Sequence, residues 1–146
     1  MFTFKLQSVL NYRQSIEETK LLEFAEGQKR LQEEQDRLLE IRTEKTLLLE
    51  QLKALQDNPF QAADISLHHT YHEIFKEKEI LQVKIVFQAN EKLNYLREAL
   101  LEAVQKRKIM DNLSARQRQD YQKKMAAIER VVADETAVMR FIRKEK

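Results

Sequence analysis

The segment Asp57-Asn58-Pro59-Phe60-Gln61-Ala62-Ala63-Asp64 interrupts a sequence that is otherwise helix-forming throughout. Pro59 is the only proline in 146 residues, and the only glycine, Gly27, lies far from it in sequence. A proline inside a helix loses a backbone hydrogen bond and clashes with the preceding turn, at a cost of about 3 kcal/mol. Asn58-Pro59 also matches a helix N-cap followed by proline at the first helical position. We therefore predict two long helices joined by a bend at this segment.

The composition favours the same all-α architecture. The chain is 34% charged and 42% hydrophobic, which is typical of long helices and coiled coils. We predict a single antiparallel coiled-coil α-hairpin over residues 1–146, with helix one over 3–56, the bend over 57–64 and helix two over 65–143. Counting outward from the bend pairs Thr3 with Arg118. Helix two is then the longer helix and overhangs its partner from Gln119 onward.

Heptad spacing predicts the residues that pack between the helices. In helix one the predicted seam is Phe24, Gly27, Leu31, Glu34, Leu38, Ile41, Lys45, Leu48, Leu52 and Leu55. In helix two it is predicted to begin with Leu67, Tyr71, Ile74, Leu81 and Ile85, and to continue through Leu93, Leu96, Leu100, Ala103 and Val104. Charge supports the pairing. Residues 17–57 carry eleven acidic and seven basic residues, a net charge of −4. Residues 105–146 carry twelve basic and six acidic residues, a net charge of +6.

Several function classes are disfavoured by what the sequence contains. A two-helix hairpin has few concave, water-excluding sites, no glycine-rich phosphate loop is present, and no serine, histidine and acid cluster suggests a nucleophile. We therefore expect no enzyme activity and no cofactor. Apolar runs never exceed four residues, and the opening Met1-Phe2-Thr3-Phe4-Lys5 lacks a signal-peptide layout. We expect a soluble intracellular protein that does not insert into a membrane.

Two charged or metal-binding patterns have simpler explanations. His68 and His72 have the i,i+4 spacing of a metal pair, but no third ligand is evident, so we expect solvated side chains and no metal. The run Lys106-Arg107-Lys108 could meet phosphates, but Tyr121 is the only aromatic residue in that part of the chain available to stack on a base. We expect a solvated basic face, or one that meets an acidic protein, and no nucleic-acid binding.

The predicted overhang of helix two carries an apolar row at coiled-coil spacing, here called the terminal stripe. Its members are Tyr121, Met125, Ile128, Val132, Met139 and Ile142. Helix one has no residues left to cover this row, and exposed apolar patches usually mark interfaces. We predict a partner-binding surface, with weak self-association as the alternative use of the same row.

The opening Phe2-Thr3-Phe4-Lys5-Leu6-Gln7-Ser8-Val9-Leu10-Asn11-Tyr12-Arg13 resembles the start of the flagellar FliJ proteins. The likeness continues in the acidic stretch from Glu17 to Gln32 and in Tyr71 early in helix two. It includes the Leu96 to Val104 segment and the ending from Glu129 to Arg140, with Asp134-Glu135-x-Ala137. It covers nearly the whole chain, and the bend falls at the corresponding place.

This resemblance implies a cytoplasmic component of the flagellar type III export apparatus, associated peripherally with the inner membrane and needed for motility. Family members form an antiparallel coiled coil similar to the stalk of rotary ATPases. They bind the hexameric export ATPase, the cytoplasmic domain of the export gate and export chaperones. By this likeness the terminal stripe would meet the ATPase, and Tyr71, Ile74 and Leu81 would meet the gate.

Two other functions fit the same architecture. One is the corresponding stalk protein of a virulence-type secretion system. The other is a coiled-coil spacer or holdase chaperone. Prefoldin-type holdases carry β-hairpins beside their helices, and the sequence has no alternating segment that predicts a strand.

Overall fold

The computed structural model describes residues 1–56 and 62–145. It contains two helices, α1 (Gln7–Gln56) and α2 (Ala62–Lys144), and no β-strand within those residues. The helices pack against each other, and α2 has 83 residues against 50 in α1. The predicted all-α fold of two long paired helices, the second longer than the first, is confirmed.

The helix boundaries differ from the predicted ones at two places. Helix α1 begins at Gln7 rather than at Thr3: residues 1–4 are not helical, and within them the Phe4 side chain is buried. Helix α2 begins at Ala62, so Ala62–Asp64, predicted to lie in the bend, are helical. Asp64 lies in the first turn, where the helix dipole favours an acidic side chain. The rest of the predicted bend, residues 57–61, lies outside the described residues.

The chain forms two compact units, and the first comprises residues 1–18 and 102–146. In it the Phe2 ring lies 5.7 Å from the Tyr121 ring and 5.7 Å from the Arg118 guanidinium. Glu17, further along α1, pairs with Arg107, earlier in α2, so the two helices run antiparallel here. The contact between Phe2 and Arg118 agrees with the predicted pairing of Thr3 with Arg118.

The second unit comprises residues 19–101 and contains the α1 seam as predicted. Glu34 is buried, and eight other seam residues are half-buried: Phe24, Gly27, Leu31, Leu38, Ile41, Lys45, Leu48 and Leu52. The side chain of Leu55, the last predicted seam residue, lies outside the described part of the chain. Leu93 and Leu96 of α2 face Gly27, and Leu93 is buried. The predicted second half of the α2 seam is therefore also confirmed in this unit.

The first half of the α2 seam was predicted one residue out of place. Leu67, Tyr71, Ile74, Leu81 and Ile85 are all exposed. The seam instead follows a row that is shifted by one residue and is buried or half-buried: His68, His72, Phe75, Glu79, Gln82, Val86 and Ala89. This polar seam is stable because α1 supplies partners for it. Glu79 accepts hydrogen bonds from Arg42 at 3.1 Å and from Lys45 at 2.8 Å, and Gln82 donates to Glu34.

Candidate partner-binding surfaces

The free end of α2 presents the terminal stripe as predicted, except at its first residue. All residues from Gln122 to Glu145 are exposed. Five members of the stripe, Met125, Ile128, Val132, Met139 and Ile142, are between 38% and 67% exposed. Tyr121 is half-buried because its ring packs on Phe2. Tyr121 therefore belongs to the packed part of this unit, and its predicted contact with a partner stays a prediction.

A second apolar row runs beside the terminal stripe and was not found from the sequence. It consists of Val131, Val138 and Phe141, each more than half exposed. On a helix these three positions lie next to Ile128 and Ile142, so the apolar surface covers about half of the helix circumference. Positions 131, 134, 138 and 141 do have the spacing of one helix face in the sequence, but the acidic residue Asp134 interrupts the apolar row. A surface this wide can contact more than one partner helix.

The second unit carries its own exposed apolar row, here called the lateral stripe: Leu67, Tyr71, Ile74, Leu81 and Ile85. The steps of four, three, seven and four residues place all five side chains along one line of α2. Each lies one residue before a residue that packs on α1, so the row borders the groove between the helices. Tyr71, Ile74 and Leu81, the predicted gate contacts, are thus accessible in this structure.

A groove of about 560 Å³ continues from the lateral stripe between the two helices. Its lining residues are Glu23, Glu26, Gly27, Arg30, Ile85, Gln88, Ala89, Lys92 and Leu96. At Gly27 the two helices approach closely, since a Cβ atom there would lie 2.8 Å from Cδ1 of Leu96 and 3.3 Å from Cδ1 of Leu93. Ile85 belongs both to the lateral stripe and to the groove, so the two form one continuous surface.

The charged walls of this surface come mainly from α1. Glu26 lines the groove, is exposed and has no ion-pair partner among residues 1–56 and 62–145. Arg30 of α1 and Lys92 of α2 also line it. A ligand here would meet apolar side chains together with charges of both signs, which favours an amphipathic helix.

The basic run Lys106-Arg107-Lys108 is largely engaged within its own unit. Lys106 pairs with Glu102 at 2.7 Å, and Arg107 bonds both Glu17 and Asp111. The hydrogen bond that Arg107 donates to the Glu17 carboxylate is the main cause of the raised pKa of Arg107. Arg107 therefore links α2 to α1 through Glu17, which the sequence alone did not indicate, whereas Lys106 pairs within α2.

His68 and His72 were expected to be solvated, but both are half-buried in the seam. The His72 ring stacks at 6.5 Å on the ring of His69. In the part of the chain that the structure describes, no three His, Cys, Asp or Glu side chains are placed to hold a metal ion. No helix in that part is both long and apolar enough to span a membrane.

Comparison with protein families gives one clear match. The model of the family described as flagellar FliJ protein matches residues 1–146. Comparisons with curated proteins and with solved structures give no match. The family match covers the whole sequence, including both the terminal stripe and the lateral stripe.

Proposed function

Because the chain belongs to the flagellar FliJ family, we propose that it is a non-catalytic coupling component of the flagellar protein export apparatus. In this proposal it binds the hexameric export ATPase, the cytoplasmic domain of the export gate and export chaperones. It acts in the cytoplasm and is held at the inner membrane through these partners. Family membership supports the role in flagellar export, and the exposed apolar surfaces support the binding roles.

The terminal stripe is the observation that carries the proposed ATPase contact. The exposed segment from Gln122 to Glu145 spans 24 residues, or roughly 36 Å at ~1.5 Å per residue. Its two apolar rows are exposed, and its methionines can adapt to a surface that changes shape. Lys123, Lys124, Arg130 and Arg140 surround the rows and would attract an acidic partner. These properties suit a helix that enters a ring of subunits.

The lateral stripe supports the proposed contact with the export gate. Tyr71 and Ile74 are exposed side chains on a helix face that α1 leaves uncovered. Tyrosine combines an apolar body with a polar tip and is enriched at the centres of protein interfaces. Because this row belongs to the second unit and the terminal stripe to the first, each can be altered without changing a residue of the other unit.

The test is a binding experiment with two paired variants of the full chain. Ile128→Glu with Val132→Glu should abolish binding to the purified export ATPase and leave gate binding intact. Tyr71→Ala with Ile74→Ala should do the reverse. Leu22→Ala, at a residue 67% exposed outside both stripes, is the control and should retain both activities. Loss of both partners in each paired variant would contradict the division of roles.

A further inference from the structure

The exposed apolar surface on the free end of α2 continues the seam between the two helices. In the first unit, Ala103 is buried and Arg107, Met110, Ser114 and Tyr121 are half-buried, each three, four or seven residues after the one before it. This is heptad spacing, and the same steps of four and three continue beyond Tyr121. Six residues occupy those positions and are here called the continued seam: Lys124, Ile128, Val131, Glu135, Val138 and Ile142.

The continued seam has the shape of a surface that packs on a helix. Its four apolar residues are between 52% and 58% exposed, and Met125, Val132 and Met139 beside them widen the apolar surface. Earlier in the same unit, this side of α2 packs on α1. Because the spacing does not change where α1 begins, the surface fits one further α-helix placed in line with α1.

The two charged residues of the continued seam indicate what that helix carries. Lys124 and Glu135 have no ion-pair partner among residues 1–56 and 62–145. By contrast, Glu79 and Arg107, which also occupy seam positions of α2, each meet an opposite charge on α1. A charge inside a helix contact is tolerated only when it is paired. The added helix therefore needs a cation facing Glu135 and a negative group facing Lys124.

The first residues of the chain set the place where such a helix must end. The Phe2 ring lies 5.7 Å from the Tyr121 ring and occupies the seam there. A cavity of about 360 Å³ adjoins this contact, lined by Met1, Phe2, Thr3, Gln117, Asp120, Tyr121 and Lys124. The Lys124 ammonium favours the carbonyl end of a helix, which carries the negative part of the helix dipole. A helix that ends at Lys124 runs antiparallel to α2, as α1 does.

We propose that the free end of α2 binds one helix of a partner protein, in line with α1, with a cation facing Glu135 and its carbonyl end at Lys124. Since Lys124 and Glu135 are eleven residues apart, that cation lies eleven residues before the end of the partner helix. The proposal rests on the proposed function in taking the partner to be the export ATPase. A second copy could set its own Lys124 against Glu135, but its α2 continues to Lys144 and would collide with Phe2.

A synthetic helical peptide tests the site without the ATPase. It carries leucine where it faces the apolar residues of the continued seam and lysine where it faces Glu135, and it should bind the full chain in a fluorescence anisotropy titration. Glu135→Lys should weaken binding at least about tenfold. A second peptide, with glutamate in place of that lysine, should bind this variant better than the first peptide does.

The matched control is Glu129→Lys, the same change of charge outside the continued seam. Glu129 is exposed and lies one residue after Ile128, about 100° around the helix from it. This variant should bind the first peptide as the parent does. Circular dichroism should show that every variant is as helical as the parent.

Spin labels test the direction of the bound helix. The chain has no cysteine, so Thr3→Cys, at an exposed residue, can carry a single label. A second label at the C-terminal end of the peptide should lie closer to it than a label at the N-terminal end.

The purified export ATPase gives the second measurement. Glu135→Leu should bind it about tenfold more weakly than the parent does, because the partner's cation loses its carboxylate. A purely apolar contact would instead be strengthened by the added leucine, and that result would overturn the proposal.

Four other results would also overturn it: no binding of the peptide, equal losses in Glu135→Lys and Glu129→Lys, a reversed peptide, or a dimer in sedimentation that Glu135→Lys abolishes. An ATPase that does not bind the parent chain would refute the proposed function. The peptide titration would then decide by itself whether the free end is a helix-binding site.

Discussion

Gln82 donates from its side-chain amide to two oxygens of Glu34, the backbone carbonyl at 2.9 Å and the carboxylate at 2.7 Å. Both residues are buried, Glu34 at 6% exposure and Gln82 at 7%. Arg37 completes the arrangement by donating to the other carboxylate oxygen at 3.2 Å. An apolar seam tolerates slippage, but this pair is satisfied in only one alignment of α1 and α2. It therefore fixes the register of the second unit.

Replacing one partner of this pair should destabilise the protein. Gln82→Leu leaves a buried carboxylate without its amide donor, which we expect to cost about 1–3 kcal/mol in the free energy of unfolding. The double variant Glu34→Leu with Gln82→Leu should recover most of that loss, because two matching apolar groups leave no unpaired polar atom. Denaturant melts of the parent, both single variants and the double variant measure this. Additive losses in the double variant would show that the two residues do not act as a pair.

Truncating a seam leucine should have a larger effect than truncating an equally large leucine on the lateral stripe. Leu100 is half-buried, so Leu100→Ala should cost about 1–3 kcal/mol, the lower part of the range for leucines in cores. Leu81 is 62% exposed, so Leu81→Ala should change stability by no more than about 0.5 kcal/mol. Thermal melts followed by circular dichroism compare them. Similar losses in both variants would mean that Leu81 packs in the seam after all.

Glu79 should make stability depend on acidic pH. Hydrogen bonds from Lys45 and then Arg42 hold the pKa of Glu79 below its ordinary value of 4.5. A lowered pKa stabilises the folded state above the unfolded value, and the contribution is lost as the pH falls through the folded value. Glu79→Gln should therefore melt at a lower temperature than the parent at neutral pH, with the difference shrinking below about pH 4.5.

The matched control for this experiment is Glu44→Gln. Glu44 is exposed on the same helix pair and has no ion-pair partner among the described residues. Its variant should follow the parent closely at every pH. A difference between Glu79→Gln and the parent that persists unchanged to pH 3 would show that the ion pairs with Lys45 and Arg42 are not its cause.

Removing the free end of α2 should separate folding from binding. A chain ending at Gln122 keeps Tyr121 and its contact with Phe2, so its melting temperature should remain close to that of the full chain. It lacks both apolar rows of the terminal segment, so binding to the export ATPase should be lost while gate binding remains. Retained ATPase binding by the truncated chain would eliminate the terminal segment as the contact.

The two helices, their approximate pairing and the free end could be predicted from residue spacing and from the position of Pro59. The α1 seam was correct even at Glu34 and Lys45, because the heptad is regular on both sides of them. The first half of the α2 seam could not be found this way. There the more apolar row, with Tyr71 and Leu81, is exposed, and a row containing Glu79 and Gln82 packs inside. Choosing the row by hydrophobicity fails when the partner helix satisfies polar groups.

Features that depend on both helices together were also missed. Gly27 is a weak seam position in the sequence, whereas in the structure its missing side chain makes room for Leu93 and Leu96 of α2. Single-helix periodicity does not contain this information, because it arises from the alignment of one helix against the other.

The exposed end of α2 has a consequence for amide hydrogen exchange. Its backbone hydrogen bonds are protected only by the local helix–coil equilibrium, since no packed neighbour must separate before they open. Amides after Gln122 should therefore exchange with solvent deuterium much faster than those of the paired helix near Leu93 and Leu96. A partner that binds this end would slow that exchange residue by residue. Hydrogen exchange followed by mass spectrometry would therefore show which residues of the free end a partner covers, without any substitution in the protein.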